Sequence, residues 1–266
     1  MPAENITIDK IMKKVMAQLA SSTAVEQKKE NKQMAIQSSL TEFVGTSTIG
    51  DTIGLVIANV DSQLSDVMHL NKEVRSIGII GSRTGASPQI FAADEAVKAT
   101  NTEIVSVELP CDTKGGGGHG VLIVFGGKDV SDVRRAVEIT LKETERCFGD
   151  IYANEAGDVE FNYTARASHA LVKAFGAEEG KAFGLIAGCP SAIGVVMADT
   201  AVKAANVEVV GFASPAKGQN FSNEVTLNIK GDSGAVRQSV IAAREIGIQM
   251  LATLGSEPKN QFPSYI

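Results

Sequence analysis

An internal repeat constrains this chain more than any other feature. Ala93-Asp-Glu-Ala-Val-Lys-Ala-Thr-Asn-Thr-Glu-Ile-Val-Ser-Val-Glu-Leu-Pro110 returns as Ala198-Asp-Thr-Ala-Val-Lys-Ala-Ala-Asn-Val-Glu-Val-Val-Gly-Phe-Ala-Ser-Pro215, with ten of eighteen positions identical. Each copy reads as a helix of small residues that ends near an Asn and runs into a β-branched strand. A chain of 266 residues has room for two domains, and the repeat makes them two copies of one domain.

The order of predicted elements is the same in both halves. In the first, a strand at 51–60 leads to a short helix from Asp61-Ser62 and a buried strand at 76–81. Ser87-Pro88 supplies an N-cap and an N1 proline for the repeat helix. Strands at 103–109 and 120–125 and a helix at 130–146 complete the unit. In the second half the strands are 159–164, 183–187, 208–212 and 224–229, and the helices begin near Ser168, Pro190 and Gly234. The fold class is α/β in the α+β sense: each copy is one mixed sheet with helices packed on it. We assign residues 1–40 to an N-terminal arm, 41–150 and 151–256 to the two domains, and 257–266 to a polar tail. Residues 150–158 read as the turn between the copies.

The arm differs from the rest. Ile6, Ile8, Ile11, Met12, Val15, Met16 and Leu19 fall mostly on one helical face, and a polar tract from Ser21 to Gln33 follows. The pattern predicts a short amphipathic helix on a flexible tether, docked on its own domain or kept for a partner.

Composition excludes several classes. A net charge of -6 argues against general nucleic-acid binding. Apolar runs such as 121–125 are strand-sized, far short of a membrane span. Three cysteines without framework spacing predict a reducing interior, and the N-terminus lacks the apolar core of a signal peptide.

Chemical motifs are weak. Gly115, Gly117 and Gly120 meet the G-x-G-x-x-G spacing, but a strand follows them and no helix N-terminus is available for a pyrophosphate. A long hairpin loop or a loop lining an opening remains. Cys111 and His119 flank that loop, too few ligands for zinc. His69 and His169 read as helix-surface residues, and no nucleophile stands beside a base. Neither a metal, a cofactor nor catalysis is expected. Polar residues do gather before the repeat helices, at Ser82 to Ser87 and at Gly188 to Ser191, as helix caps or as the lining of a polar passage.

The repeat then carries a resemblance. Val202-Lys-Ala-Ala-Asn-Val-Glu-Val-Val-Gly211 with Lys230-Gly-Asp-Ser-Gly-Ala-Val-Arg237, and the first-copy segment Lys98 to Val107, closely resemble the signature of bacterial microcompartment shell domains. A strand and short helix ahead of the signature helix resemble the circularly permuted tandem class of that family. The resemblance implies two permuted BMC domains per chain and a homotrimer of pseudohexagonal symmetry. It implies a structural shell protein of the cytoplasmic compartment, tiling edge to edge with other shell proteins, and no enzyme. The compartment would be of the propanediol- and glycerol-utilising kind, with small polyols (glycerol and 1,2-propanediol) passing through subunit pores. Encapsulated enzymes would be tethered by the arm. By the same resemblance, Ser82, Arg83, Thr84, Gly85, Ser87, Tyr152, Asn154, Glu155 and Ser191 line the subunit passage. Loops carrying Lys114, Gly116, Gly117 and His119, and Lys217, Gly218 and Asn220, ring the threefold axis. The competing reading is a polyol-sensing ligand-binding module.

Overall fold

The computed structural model describes residues 40–110, 120–215 and 223–266. The expected arm helix, the Cys111 and His119 pair, and the axis-loop residues Lys114, Gly116, Gly117, His119, Lys217, Gly218 and Asn220 lie outside them. Residues 44–266 form one compact unit that contains both copies.

The first copy runs β1 (Phe43–Ser47), β2 (Thr52–Ile57), α1 (Ser62–Val67), β3 (Ser76–Ser82), α2 (Ser87–Lys98), β4 (Glu103–Glu108), β5 (Val121–Gly127) and α3 (Val130–Cys147). The second repeats it as β6 (Ile151–Asn154), β7 (Gly157–Thr164), α4 (His169–Phe175), β8 (Ala182–Cys189), α5 (Ser191–Ala204), β9 (Val207–Ala213), β10 (Val225–Gly231) and α6 (Ser233–Ala252). Each copy makes a five-stranded sheet, ordered β1-β2-β3-β5-β4 and β6-β7-β8-β10-β9. The pairs with a defined register are all antiparallel, so the expected mixture of strand directions is not found.

One strand per copy was not anticipated. Residues 151–154, read as part of a turn, form β6 and pair with β7 from Ile151–Glu160 to Asn154–Gly157. Four residues are too few to show a convincing alternation in sequence.

Helices pack on one face of each sheet through close backbone approaches. A Cβ at Gly78 would lie 2.7 Å from Val137 of α3, and one at Gly184 would lie 2.8 Å from Val240 of α6. The two glycines occupy matching strand positions, so the same device seats the long helix in both copies. On α3, Val133, Ala136, Val137, Thr140 and Thr144 are buried. The two threonine hydroxyls donate to the carbonyls of Ala136 and Thr140 at 2.8 and 2.7 Å, which satisfies them inside the core.

The copies are joined by a continuous apolar core. Ile90, Phe91 and Ile104 of the first copy share a cluster with Ala170, Leu171, Phe183 and Leu185 of the second. Phe183 sits between Phe91 and Phe175, with ring centroids 6.1 Å away in both cases. Asp94, fully buried on α2, accepts from the amides of Ser168 and Leu171 at 2.8 and 3.4 Å, at the start of α4. Lys98 pairs with its other oxygen at 2.8 Å. Burial raises the Asp94 pKa against the opposing pull of Lys98 and the two amides. Thus a side chain of one repeat helix caps a helix of the other copy.

The C-terminal segment is a docked strap. Asp150, fully buried, accepts from Arg244, from Ser264 Oγ at 2.7 Å and from the amides of Tyr265 and Ile266 at 2.9 and 3.3 Å. Tyr265 takes the Tyr163 amide on its hydroxyl at 3.1 Å and lies under the Arg146 guanidinium, 4.8 Å from the ring centre. Its apolar end, Ile266, is buried in the second core. Cys147 is buried, and desolvation pushes its thiol up to about 12.

Candidate functional site

The turn that precedes α2 is held from below. The amides of Arg83 and Thr84 both donate to the Gly50 carbonyl, at 2.9 and 3.2 Å. Ser82 Oγ accepts from the Val121 amide at 3.2 Å. Gln89 Nε2 reaches back to Thr84 O at 3.1 Å and to Thr52 Oγ1 at 3.2 Å. Gly85 has φ +107°, and a Cβ there would meet the Gln89 side chain at 2.5 Å, so this turn requires glycine. Ala86 follows with φ +76° and occupies the N-cap position. Ser87 is therefore the first helical residue rather than the cap. Its hydroxyl instead faces Glu160 on β7 of the other copy, where it holds that carboxyl's pKa down in part.

Glu160 belongs to a small acidic group that the sequence reading missed. Along β7, Val159 and Phe161 point into the core, so Asp158 and Glu160 share the opposite face. Asp158 pairs in register with Cys189, at the strand end that leads into α5. Burial, helped by repulsion from Glu224 and Asp158, raises the Glu160 carboxyl to about 8, and Ser87 pulls it back only in part. Asp158 is raised to about 6 by burial and Glu224. One oxygen of Glu160 is buried without a hydrogen-bond partner. Burial thus favours the protonated carboxyl of Glu160, which can both donate and accept. Beside this group, Ser191 donates to Asn223 Oδ1 from its hydroxyl at 2.8 Å and from its amide at 3.5 Å.

The structure therefore brings Ser87 into contact with the acidic face of β7 and puts Ser191 two residues beyond Cys189. Ser82, Arg83, Thr84 and Gly85 form the turn that leads to Ser87. Tyr152, Asn154 and Glu155 are engaged elsewhere, by the C-terminal segment. Tyr152 bonds with Asp150 and Ser264, and burial raises its pKa. Asn154 Nδ2 donates to Leu251 O and Ser256 O at 3.1 and 2.8 Å. Glu155 accepts from the hydroxyl and amide of Ser256, which lowers its pKa. The signal that could have pointed to Asp158 and Glu160 was two carboxylates alternating with core residues on one strand.

A second, polar cleft of about 260 Å³ lies at the other end of α2, lined by Lys98, Thr102, Arg166, Ser168, His169 and Glu179, among others. His169, on the helix surface as expected, pairs there with Glu179 at 3.3 Å. Among the described residues no cluster of His, Cys, Asp and Glu could hold a metal, and no helix is long and apolar enough to cross a membrane.

The duplicated sheet-and-helix unit is the architecture of a class of structural shell proteins, as the comparisons show. The BMC domain family matches residues 76–155 and 182–257, and the chain belongs to that family. Among its relatives is the bacterial microcompartment shell protein PduB of Citrobacter freundii, 62% identical over 99% of this chain and 100% of the relative. A crystal structure of a trimeric bacterial microcompartment shell protein PduB is 57% identical, with a TM-score of 0.81 over 85% of this chain and 100% of that one. The structure of EtuB from Clostridium kluyveri is 51% identical, with the same TM-score over 85% of this chain and 99% of its own. The homologues are shell proteins, not enzymes.

Proposed function

We propose that this chain is a wall element of a propanediol- or glycerol-utilising microcompartment, assembled as a trimer, and that small polyols cross it at the junction between its two copies. Tiling with other shell proteins follows from the likeness to PduB. The conduit reading rests on one arrangement: Ser87 of one copy faces the Glu160 carboxyl of the other, one oxygen of which is buried without a partner, on a strand face whose end leads through Cys189 to Ser191. Hydroxyls and a neutral acid offer glycerol and 1,2-propanediol exchangeable hydrogen bonds without a fixed charge to trap them. A pore needs this combination of easy entry and easy release. The turn Ser82, Arg83, Thr84 and Gly85 forms one rim, with Tyr152, Asn154 and Glu155 further out. In the trimer, the loops with Lys114, Gly116, Gly117 and His119 and with Lys217, Gly218 and Asn220 ring the axis. The arm at 1–40 serves as a tether for enclosed enzymes.

The test of the conduit is to narrow it. Thr84→Trp and Ser191→Trp, each in intact compartments, are expected to slow 1,2-propanediol consumption severalfold, with assembly and enclosed-enzyme activity after lysis unchanged. Consumption at the wild-type rate by both variants would remove these residues from the route.

A further inference from the structure

The two copies meet along one face of β7. Its alternate residues Glu160, Asn162 and Thr164 lie opposite the core residues Val159 and Phe161, and each meets the first copy. Glu160 faces Ser87, the first residue of α2. Asn162, fully buried, donates from Nδ2 to the carbonyl of Cys147, the last residue of α3, at 2.9 Å. Thr164 Oγ1 accepts from Lys98 Nζ, on the last residue of α2, at 3.2 Å. A single strand face thus spans α2 from its first residue to its last and holds the end of α3 between.

The middle of this seam is shared with the C-terminus. β6 covers the outer edge of β7 as far as Glu160, which lies opposite Ile151. The Asp150 carbonyl takes the next edge amide, that of Phe161, at 3.0 Å. The amide of Tyr163 lies beyond the end of β6 and donates to Tyr265 Oη at 3.1 Å. The phenol therefore stands where the carbonyl of an edge strand would stand. The same hydroxyl accepts from Asn162 Nδ2 at 3.4 Å. Asn162 Oδ1 is buried without a partner, so this side chain is fixed through Nδ2 alone, between Cys147 O and Tyr265 Oη. Tyr265 is held in turn by its own amide on Asp150, at 2.9 Å, and by Arg146 over its ring. Arg146 belongs to the last turn of α3. One phenol thus joins the end of α3, the edge of β7 and the end of the chain.

We propose that Tyr265 is a positioning residue for the junction: by holding Asn162 and the Tyr163 amide it sets how β7 lies against α2, and with that the placement of Glu160 opposite Ser87. It acts through the strand that carries Asn162 and Glu160. Two residues of a strand span only ~7 Å of stiff, extended backbone, so a displacement at Asn162 is passed to Glu160. The effect on solutes rests on the polyol reading above; the effect on the seam does not.

Tyr265→Phe keeps the ring beside Arg146 and the backbone bond to Asp150, and removes the hydroxyl acceptor. Hydrogen exchange of the assembled full chain, followed peptide by peptide by mass spectrometry, separates positioning from local damage. Amides at 83–90, around the start of α2, are expected to exchange roughly tenfold faster, the scale of one lost hydrogen bond, with 76–81 of β3 as an unmoved reference. In intact compartments carrying the variant, 1,2-propanediol consumption is expected to depart severalfold from the wild-type rate, with enclosed-enzyme activity after lysis unchanged. Faster exchange confined to 162–164 and 263–266, or spread evenly over the chain, would overturn the proposal. Faster exchange at 83–90 with wild-type consumption would support the positioning role and count against the conduit alone. Where Tyr265→Phe does not reach the wild-type assembled mass, Ile266→Ala, which trims the buried end of the same segment, is judged by the same exchange criteria.

Discussion

Glu160 gives the chain a pH dependence that can be removed by one substitution. Its carboxyl is raised from 4.5 to about 8, mainly by burial and then by Glu224 and Asp158. At ~1.4 kcal/mol per pKa unit, the displacement sets an upper bound of ~5 kcal/mol on the cost of ionising it in the folded chain. Protonation of Asp158, itself raised to about 6, relieves part of the mutual repulsion at the acid end. The expected net effect is on the order of 2–4 kcal/mol. The sign follows from a folded pKa above the unfolded one. The contribution is complete below pH ~4.5 and is lost as the pH rises through about 8. Glu160→Gln keeps the Ser87 contact and cannot ionise. Urea unfolding at equal protein concentration should show the variant close to wild type at pH 5 and more stable by that amount at pH 9. Wild type and variant losing stability in parallel over this window would refute the reasoning.

Two further outcomes are expected. Removing Pro263–Ile266 from a Cys111→Ser, Cys189→Ser background is expected to uncover Cys147, to leave Asp150 with Arg244 and Tyr152 as side-chain partners, and to cost on the order of 3 kcal/mol; the thiol should then react with Ellman's reagent in the native state, and continued protection would show that the strap is not its cover. Deleting residues 1–33 should leave the assembled mass at three chains while enclosed enzymes co-purify less with the shells, and full retention of those enzymes would exclude the tether.

The repeat made most of the fold legible. Identical small residues fixed the matching of α2 with α5 and of β4 with β9, and the strand–helix order followed from it. What escaped was set by contacts distant in sequence. Ser87 reads as an N-cap in sequence, yet the turn held by Gly50 and Gln89 pushes the cap to Ala86 and frees the hydroxyl for Glu160. Asn154 and Glu155 read as part of the turn between the copies, but Ser256, about a hundred positions later, takes them up. The tail reads as polar because Pro263 and Ser264 hide the fact that Tyr265 and Ile266 are anchors; only the burial of Asp150 reveals it.

The inward Asp94 joint has a consequence for how fast a ring can grow. Because α2 and α4 share one polypeptide, that seam is made at the high effective concentration of a tethered pair and does not wait on diffusion. In a three-chain assembly only the contacts between chains need an encounter between molecules; the contact between the two copies is already closed when synthesis ends. Duplication within one gene product thus trades collisions for covalent linkage.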